Sequence, residues 1–311
     1  TLTVDPNRPG EKAGSLIRCW LPFPQDYRQQ QDVKLVSATP DDPKPFIAPN
    51  AVDGKVIGGA PQRTVYLEHR VTDPTKPVTF SEVFEYTSYA YYPVLKDELA
   101  QQLPADWGNA DLEQRLPHIA FSPEIKKTVA EIIGNETNPL KKVRKIFYWI
   151  DANVQYHAEE TYSVMPSFSL SCMSTRKGDC GVMSTLFITM ARIAGVPARW
   201  QSGWETKPVG NSNHDWAEAY IAPWGWLPID QSYGLQSESS DPKIRDFYIG
   251  HQDSYRMIFS LDYGSPLFPP KKSLRSEPAD FQVGEVEMDG RNLYYDDWDY
   301  DMNINWLTPE K

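Results

Sequence analysis

The sequence predicts an α+β protein in which a helix-led core is flanked by β-rich segments. Three observations carry this. The first 115 or so residues alternate like strands and are rich in proline. Three helix signals then cluster between Ser122 and Pro197, and strand signals follow them without alternating βαβ units. We therefore expect an N-terminal sandwich-like β module over 1–116, a core over 117–235 and a β-rich extension over 236–311 that packs back on the rest.

The elements follow in order. Ile17, Cys19 and Leu21 alternate with Leu16, Arg18 and Trp20, and Val65, Leu67, His69 and Val71 alternate with Thr64, Tyr66, Glu68 and Arg70. Both stretches read as half-buried strands, and the aromatic, β-branched run from Phe80 to Tyr92 as a third. Ser122-Pro123-Glu124 is a helix start, with a capping hydroxyl, proline at the first position and an acid in the first turn. Ile125, Val129, Ile132 and Ile133 continue it at helical spacing to Gly134. Asn138-Pro139 opens a second helix with the apolar stripe Leu140, Val143, Phe147 and Ile150.

A third helix begins at or just after Cys180, with Val182, Leu186, Met190 and Ile193 on one stripe and Gly195 and Pro197 ending it. Strands are expected over 198–204, 214–221 and 226–230. In the tail, Tyr255, Met257, Phe259 and Leu261 alternate with other residues, and Asp289-Gly290 marks a hairpin.

Composition narrows the function. The 311 residues are 40% hydrophobic and 23% charged, enough apolar matter for a core. The longest apolar run, residues 182–191, is interrupted by Ser184, Thr185 and Thr189, so no membrane span is expected. A net charge of −11 without a basic stripe argues against nucleic acid as a partner. The chain starts at Thr1, and a removed signal peptide with a secreted or periplasmic location is the expectation. Three cysteines, no CxxC and no HExxH leave neither a disulfide scaffold nor a zinc site in view. Asp296, Asp297, Asp299 and Asp301 lack EF-hand spacing and read as a solvated strand. No cofactor and no metal are expected.

The chemistry concentrates at Lys177-Gly178-Asp179-Cys180-Gly181. A cysteine at a helix N-terminus meets unpaired N–H groups and the positive end of the helix dipole, which favour a thiolate and can hold an oxyanion. A thiolate nucleophile needs a base, and the base needs an orienting partner. His214 and Asp230 lie on two expected strands joined by Ala222-Pro223-Trp224-Gly225. A regular hairpin turning at residue 222 places His214 directly opposite Asp230. Cys180, His214 and Asp230 thus form a candidate triad. Asp215, next to the histidine, is expected to face away from it, since strand neighbours point to opposite sides. Trp200, Trp204, Trp216 and Trp226 are candidates for lining a substrate cleft. Cys19 and Cys172 read as buried cysteines, and His69, His118, His157 and His251 as structural or surface residues.

Gly178-Asp179-Cys180, the stretch LFITMARIAGVPAR over 186–199, the segment HDWAEAY over 214–220 and the segment WLPID over 226–230 together resemble the transglutaminase-like superfamily core. The resemblance covers about 118–235. It implies a papain-like α+β architecture, Cys180 as nucleophile, His214 as general base and acid, and Asp230 as orienter. It also raises the question of the second oxyanion donor, for which Tyr156 stands where an upstream indole is otherwise used. The implied activity is amide hydrolysis of a peptide or glycopeptide, as in cell-wall-type substrates. Acyl transfer to an amine, as in a transglutaminase proper, and a binding protein with an idle triad are the alternatives. Asp215 and Glu218, if they face the site, would keep it wet and favour water as acceptor.

Overall fold

The computed structural model describes residues 1–5, 10–51, 59–109, 111–158, 161–233 and 241–307. Among these, the strands of the first part are β1 (Leu2–Val4), β2 (Leu16–Pro22), β3 (Gln30–Thr39), β4 (Phe46–Ile47), β5 (Thr64–Arg70) and β6 (Val78–Ser88). There follow α1 (Pro123–Ile133), α2 (Pro139–Asn153), β7 (Gln155–Tyr156), α3 (Phe168–Thr175), β8 (Lys177–Gly178) and α4 (Cys180–Ile193). The chain then runs through β9 (Ala198–Lys207), β10 (Gly210–Ile221), β11 (Gly225–Ile229), α5 (Pro242–Phe247), β12 (Arg256–Ser260), β13 (Glu285–Met288), β14 (Arg291–Leu293) and β15 (Trp298–Tyr300). None of the described helices is long and apolar enough to cross a membrane.

Two compact units form. The first comprises 1–89, 202–213 and 255–311, the second 90–201 and 214–254. Short pieces of β9 and β10 belong with the β unit, and residues 90–116 with the helical unit.

The β unit is a sandwich. One sheet has the order β14-β13-β2-β5-β4 and the other β15-β1-β6-β3. Strands from the tail sit beside strands from the start, with Val286 opposite Cys19 and Tyr300 opposite Leu2. Ile17, Cys19 and Leu21 of β2 point inward with Leu2, Val4, Val65, Leu67, Phe80, Val286 and Trp298. Trp20, on the opposite face of β2, is also fully buried, under Leu267 and Phe281, and its indole donates to the Pro269 carbonyl. The chain between β12 and β13 therefore covers a strand face that alternation alone would leave wet. Asp289 and Gly290 both take positive φ, +50° and +81°, as a tight two-residue hairpin turn requires.

The helical unit is built around α4, whose residues from Gly181 to Arg192 are all buried. Thr185 and Thr189 satisfy their hydroxyls on carbonyls one turn back, at Gly181 and Thr185. The amphipathic helices α1 and α2 pack against α4, each capped as the sequence predicts, by Ser122 and Asn138. α3 also packs on α4. Sequence periodicity does not announce it, because Phe168-Ser-Leu-Ser-Cys-Met-Ser-Thr carries no single apolar stripe. Cys172 within it is buried, as is Cys19 in the sandwich core.

Candidate active site

The site assembles at the start of α4 and along the β10–β11 hairpin from His214 onward, within the helical unit. Asp179 caps α4: its side chain accepts the Val182 N–H at 3.0 Å, leaving Cys180 at the first helical position, half-buried. Gly178 and Gly181 flank it. A Cβ at Gly181 would collide with Tyr162 Oη, Trp200 Cη2 and Asp215 Oδ2, so only glycine lets these groups close around the thiol.

The histidine and its partner come from the hairpin. His214 Nε2 and Asp230 Oδ2 are 2.8 Å apart and both residues are buried. The register differs from the expected one. Ala217 pairs with Ile229 and Ile221 with Gly225, so the turn is centred one residue later and Trp216, not His214, falls opposite Asp230. His214 shares a strand face with Trp216, two positions along, and a diagonal neighbour remains within reach of an imidazole. Asp230 sits just past β11, held by its backbone N–H to the Tyr248 carbonyl and by Ser232 Oγ on Oδ1. The imidazole stacks on Trp216 at 5.7 Å and meets the edge of Tyr233 at 5.5 Å. With Nε2 engaged by Asp230, Nδ1 is the ring nitrogen suited to exchange a proton with a thiol or substrate.

Asp215 links the two halves. Cys180 Sγ lies 3.5 Å from the Oδ2 of this residue, which directly follows His214. Tyr162 Oη stands between two carboxylates, 2.8 Å from Asp179 Oδ1 and 3.1 Å from Asp215 Oδ2. Neither Tyr162 nor the contact of Asp215 was legible from sequence spacing.

The thiol departs from the expectation of a lowered pKa. Burial, then the charges of Asp215 and Asp179, and then that of Asp230 push it well up, while the Asp215 backbone N–H on the sulfur pulls the other way.

The aromatic candidates divide. Tyr156 is exposed and pairs with Gly178 in the parallel β7–β8 ladder, one short step from Cys180. Trp200 is buried and packs beside Gly181. Trp216 is buried behind the imidazole, its indole donating to Gln201 Oε1 at 2.6 Å. Trp226 stands four positions from Asp230 along β11, roughly 13 Å at strand rise, under the Arg199 guanidinium. Trp204 does not join them. It lies in the core of the β unit with Met257 and Phe259. Glu218 is buried and holds Arg199 through two bonds of 2.8 and 2.7 Å, so neither it nor the buried Asp215 wets the site as supposed.

Against known proteins, residues 126–231 match the transglutaminase-like superfamily. A solved structure from Cytophaga hutchinsonii, a candidate cysteine protease, aligns with 99% of this chain and 91% of its own at a TM-score of 0.53 and 18% identity. The segment 126–231 thus matches a transglutaminase-like superfamily core, and the chain shares the mixed α+β, papain-like fold of that neighbour. The chain is 29% identical over 143 residues to an uncharacterized protein of Haemophilus influenzae, covering 37% of this chain and 38% of that one. It is 26% identical over 144 residues to the uncharacterized protein YebA of Bacillus subtilis, covering 39% of this chain and 20% of that one. The match thus spans well under half the length of either relative.

Proposed function

We propose that the protein is a cysteine-dependent amide hydrolase that acts on a peptide or glycopeptide outside the cytoplasm. The observation that carries this is the 2.8 Å His214–Asp230 pair together with Cys180 at the head of α4, packed on the residue after that histidine. Cys180 Sγ attacks the amide carbonyl carbon while His214 takes the thiol proton. The oxyanion gathers at the N–H groups that open α4, and Tyr156 is the candidate for a second donor. Collapse expels the amine, which leaves with the proton from His214, and an acyl-thioester remains. Water, deprotonated by His214, then releases the acid and the thiol. Asp230 keeps Nε2 protonated and stabilises the imidazolium.

Water is the proposed acceptor of the acyl group. The cysteine protease description of the Cytophaga neighbour agrees with hydrolysis. The test offers candidate peptides and muropeptides, a glutaminyl peptide and excess dansyl-cadaverine, with products read by mass spectrometry. Free acid dominating over amine adduct is the expected result. Efficient amine incorporation with negligible acid would make the enzyme an acyltransferase and leave the triad in place.

A further inference from the structure

Helix α5 has 6 residues, and none of them is buried. A helix this short has little stability of its own, so contacts with its neighbours must hold it. Its last turn supplies them. Arg245 Nη1 stands 3.6 Å from Asp151 Oδ2 on α2, and the Asp151 side chain is 1% exposed. The guanidinium also lies over the Tyr148 ring of α2 at 4.7 Å, and its Nε donates to Asp246 Oδ1 at 3.1 Å. The Tyr148 hydroxyl donates to that same oxygen, also at 3.1 Å. Two residues of α2 and two of α5 thus close a ring of contacts around one guanidinium. A planar fork that also stacks can serve all of them, and an ammonium cannot.

The residues that follow α5 touch both members of the His214–Asp230 pair. The Tyr248 N–H donates to the Arg245 carbonyl at 3.2 Å, and the Tyr248 carbonyl accepts the Asp230 N–H at 3.0 Å. The Gly250 N–H donates to the Pro228 carbonyl at 2.8 Å and Ile249 bridges Ile229, so residues 248–250 run antiparallel along the end of β11. The Tyr248 ring meets Tyr233 edge-on at 4.7 Å, and Tyr233 meets the His214 ring at 5.5 Å. We propose that Arg245 is a positioning residue: by clamping α5 to α2 it sets Tyr248, which holds the Asp230 backbone directly and the imidazole through Tyr233. The proposal rests on the reading that this pair serves the reaction of Cys180. Asp230 fixes the proton on Nε2 and leaves Nδ1 for proton transfer. A released clamp lets Asp230 drift and frees the choice of tautomer.

The proton on the His214 ring reports this without any substrate. In the full chain labelled with ¹⁵N-histidine, at about pH 9 and so above the ordinary imidazole range, two-bond proton–nitrogen correlation separates the Nε2–H from the Nδ1–H tautomer. The signals lost in His214→Gln assign this ring. The unaltered protein should show the Nε2–H form. Arg245→Met and Asp151→Asn should each give a mixture, and the double variant no more than either, because both break one clamp. Arg245→Lys keeps the charge but not the fork and should fall between. On a turned-over amide substrate, Arg245→Met should lower kcat about tenfold or more with KM unchanged. Ser122→Ala removes the cap of α1 and controls for general loosening; it should leave the tautomer alone. A pure Nε2–H form in Arg245→Met makes the clamp a structural contact only and overturns the proposal, as does a mixture in Ser122→Ala or in the unaltered protein. If Arg245→Met does not fold, Asp151→Asn and Arg245→Lys decide it by the same readout. If Cys180→Ala retained amide hydrolysis, the proposed reaction would fall while the tautomers still decided the role of Arg245.

Discussion

Both units bury acids matched by cations, Glu218 with Arg199 in the helical unit among them, but Asp215 stands in a different setting. In the β unit, Glu285 meets the Lys271 ammonium, the Arg275 guanidinium at 3.7 Å and the backbone N–H groups of Ser276 and Glu277, both at 2.9 Å. Glu287 meets Arg18 and the N–H groups of Lys272 and Ser273, which hold its carboxyl below the usual range. In the helical unit, Asp215 meets a tyrosine hydroxyl and a thiol, and it raises the pKa of the thiol. A buried acid matched by cations and backbone donors fixes a chain path, here the segment that covers Trp20. A buried acid set against exchangeable protons instead stores a difference between two protonation states, which chemistry can use.

Breaking each arrangement sharpens the contrast. The largest effect is expected at the triad. Asp230→Asn keeps the shape of the pair but removes the charge that stabilises the imidazolium, so kcat should fall by about 10²–10⁴ with little change in KM. A raised KM with normal kcat would move Asp230 out of the triad. The β unit should respond in stability. Lys271 is buried against Glu285 and Asn292, and Lys271→Met leaves that acid with its remaining partners only. A loss of about 3 kcal/mol in denaturant unfolding is expected, with kcat per folded molecule unchanged. A stable variant with impaired turnover would contradict the separation of roles.

Much of this was legible in the sequence because short-range rules decided it. Ser122 and Asn138 cap their helices as written, and Asp289-Gly290 turns its hairpin, since each depends on neighbours a few residues away. The nearness of His214 and Asp230 was legible for a related reason: a hairpin converts sequence spacing into proximity, and a centre moved by one residue still leaves a diagonal pair in contact. What escaped depends on packing between distant segments. α3 lacks a stripe because it lies against α4 through small and polar residues as well as Phe168 and Met173. Trp204 looked like a cleft residue by nearness in sequence, but the chain passes into the β unit at Ser202 and carries it away. Asp215 was expected to face away from His214; its contact with Cys180 follows only from how α4 packs.

The central claim is that Cys180 carries the acyl group between two halves of one reaction. Incubation with a turned-over amide substrate, quenching in acid, and mass spectrometry of the digested protein tests it directly. The account predicts an acyl-thioester on the peptide containing Cys180, accumulating during turnover and absent from Cys180→Ala, which should be inactive. Turnover by Cys180→Ala, or an acyl group found on any other residue, would contradict it.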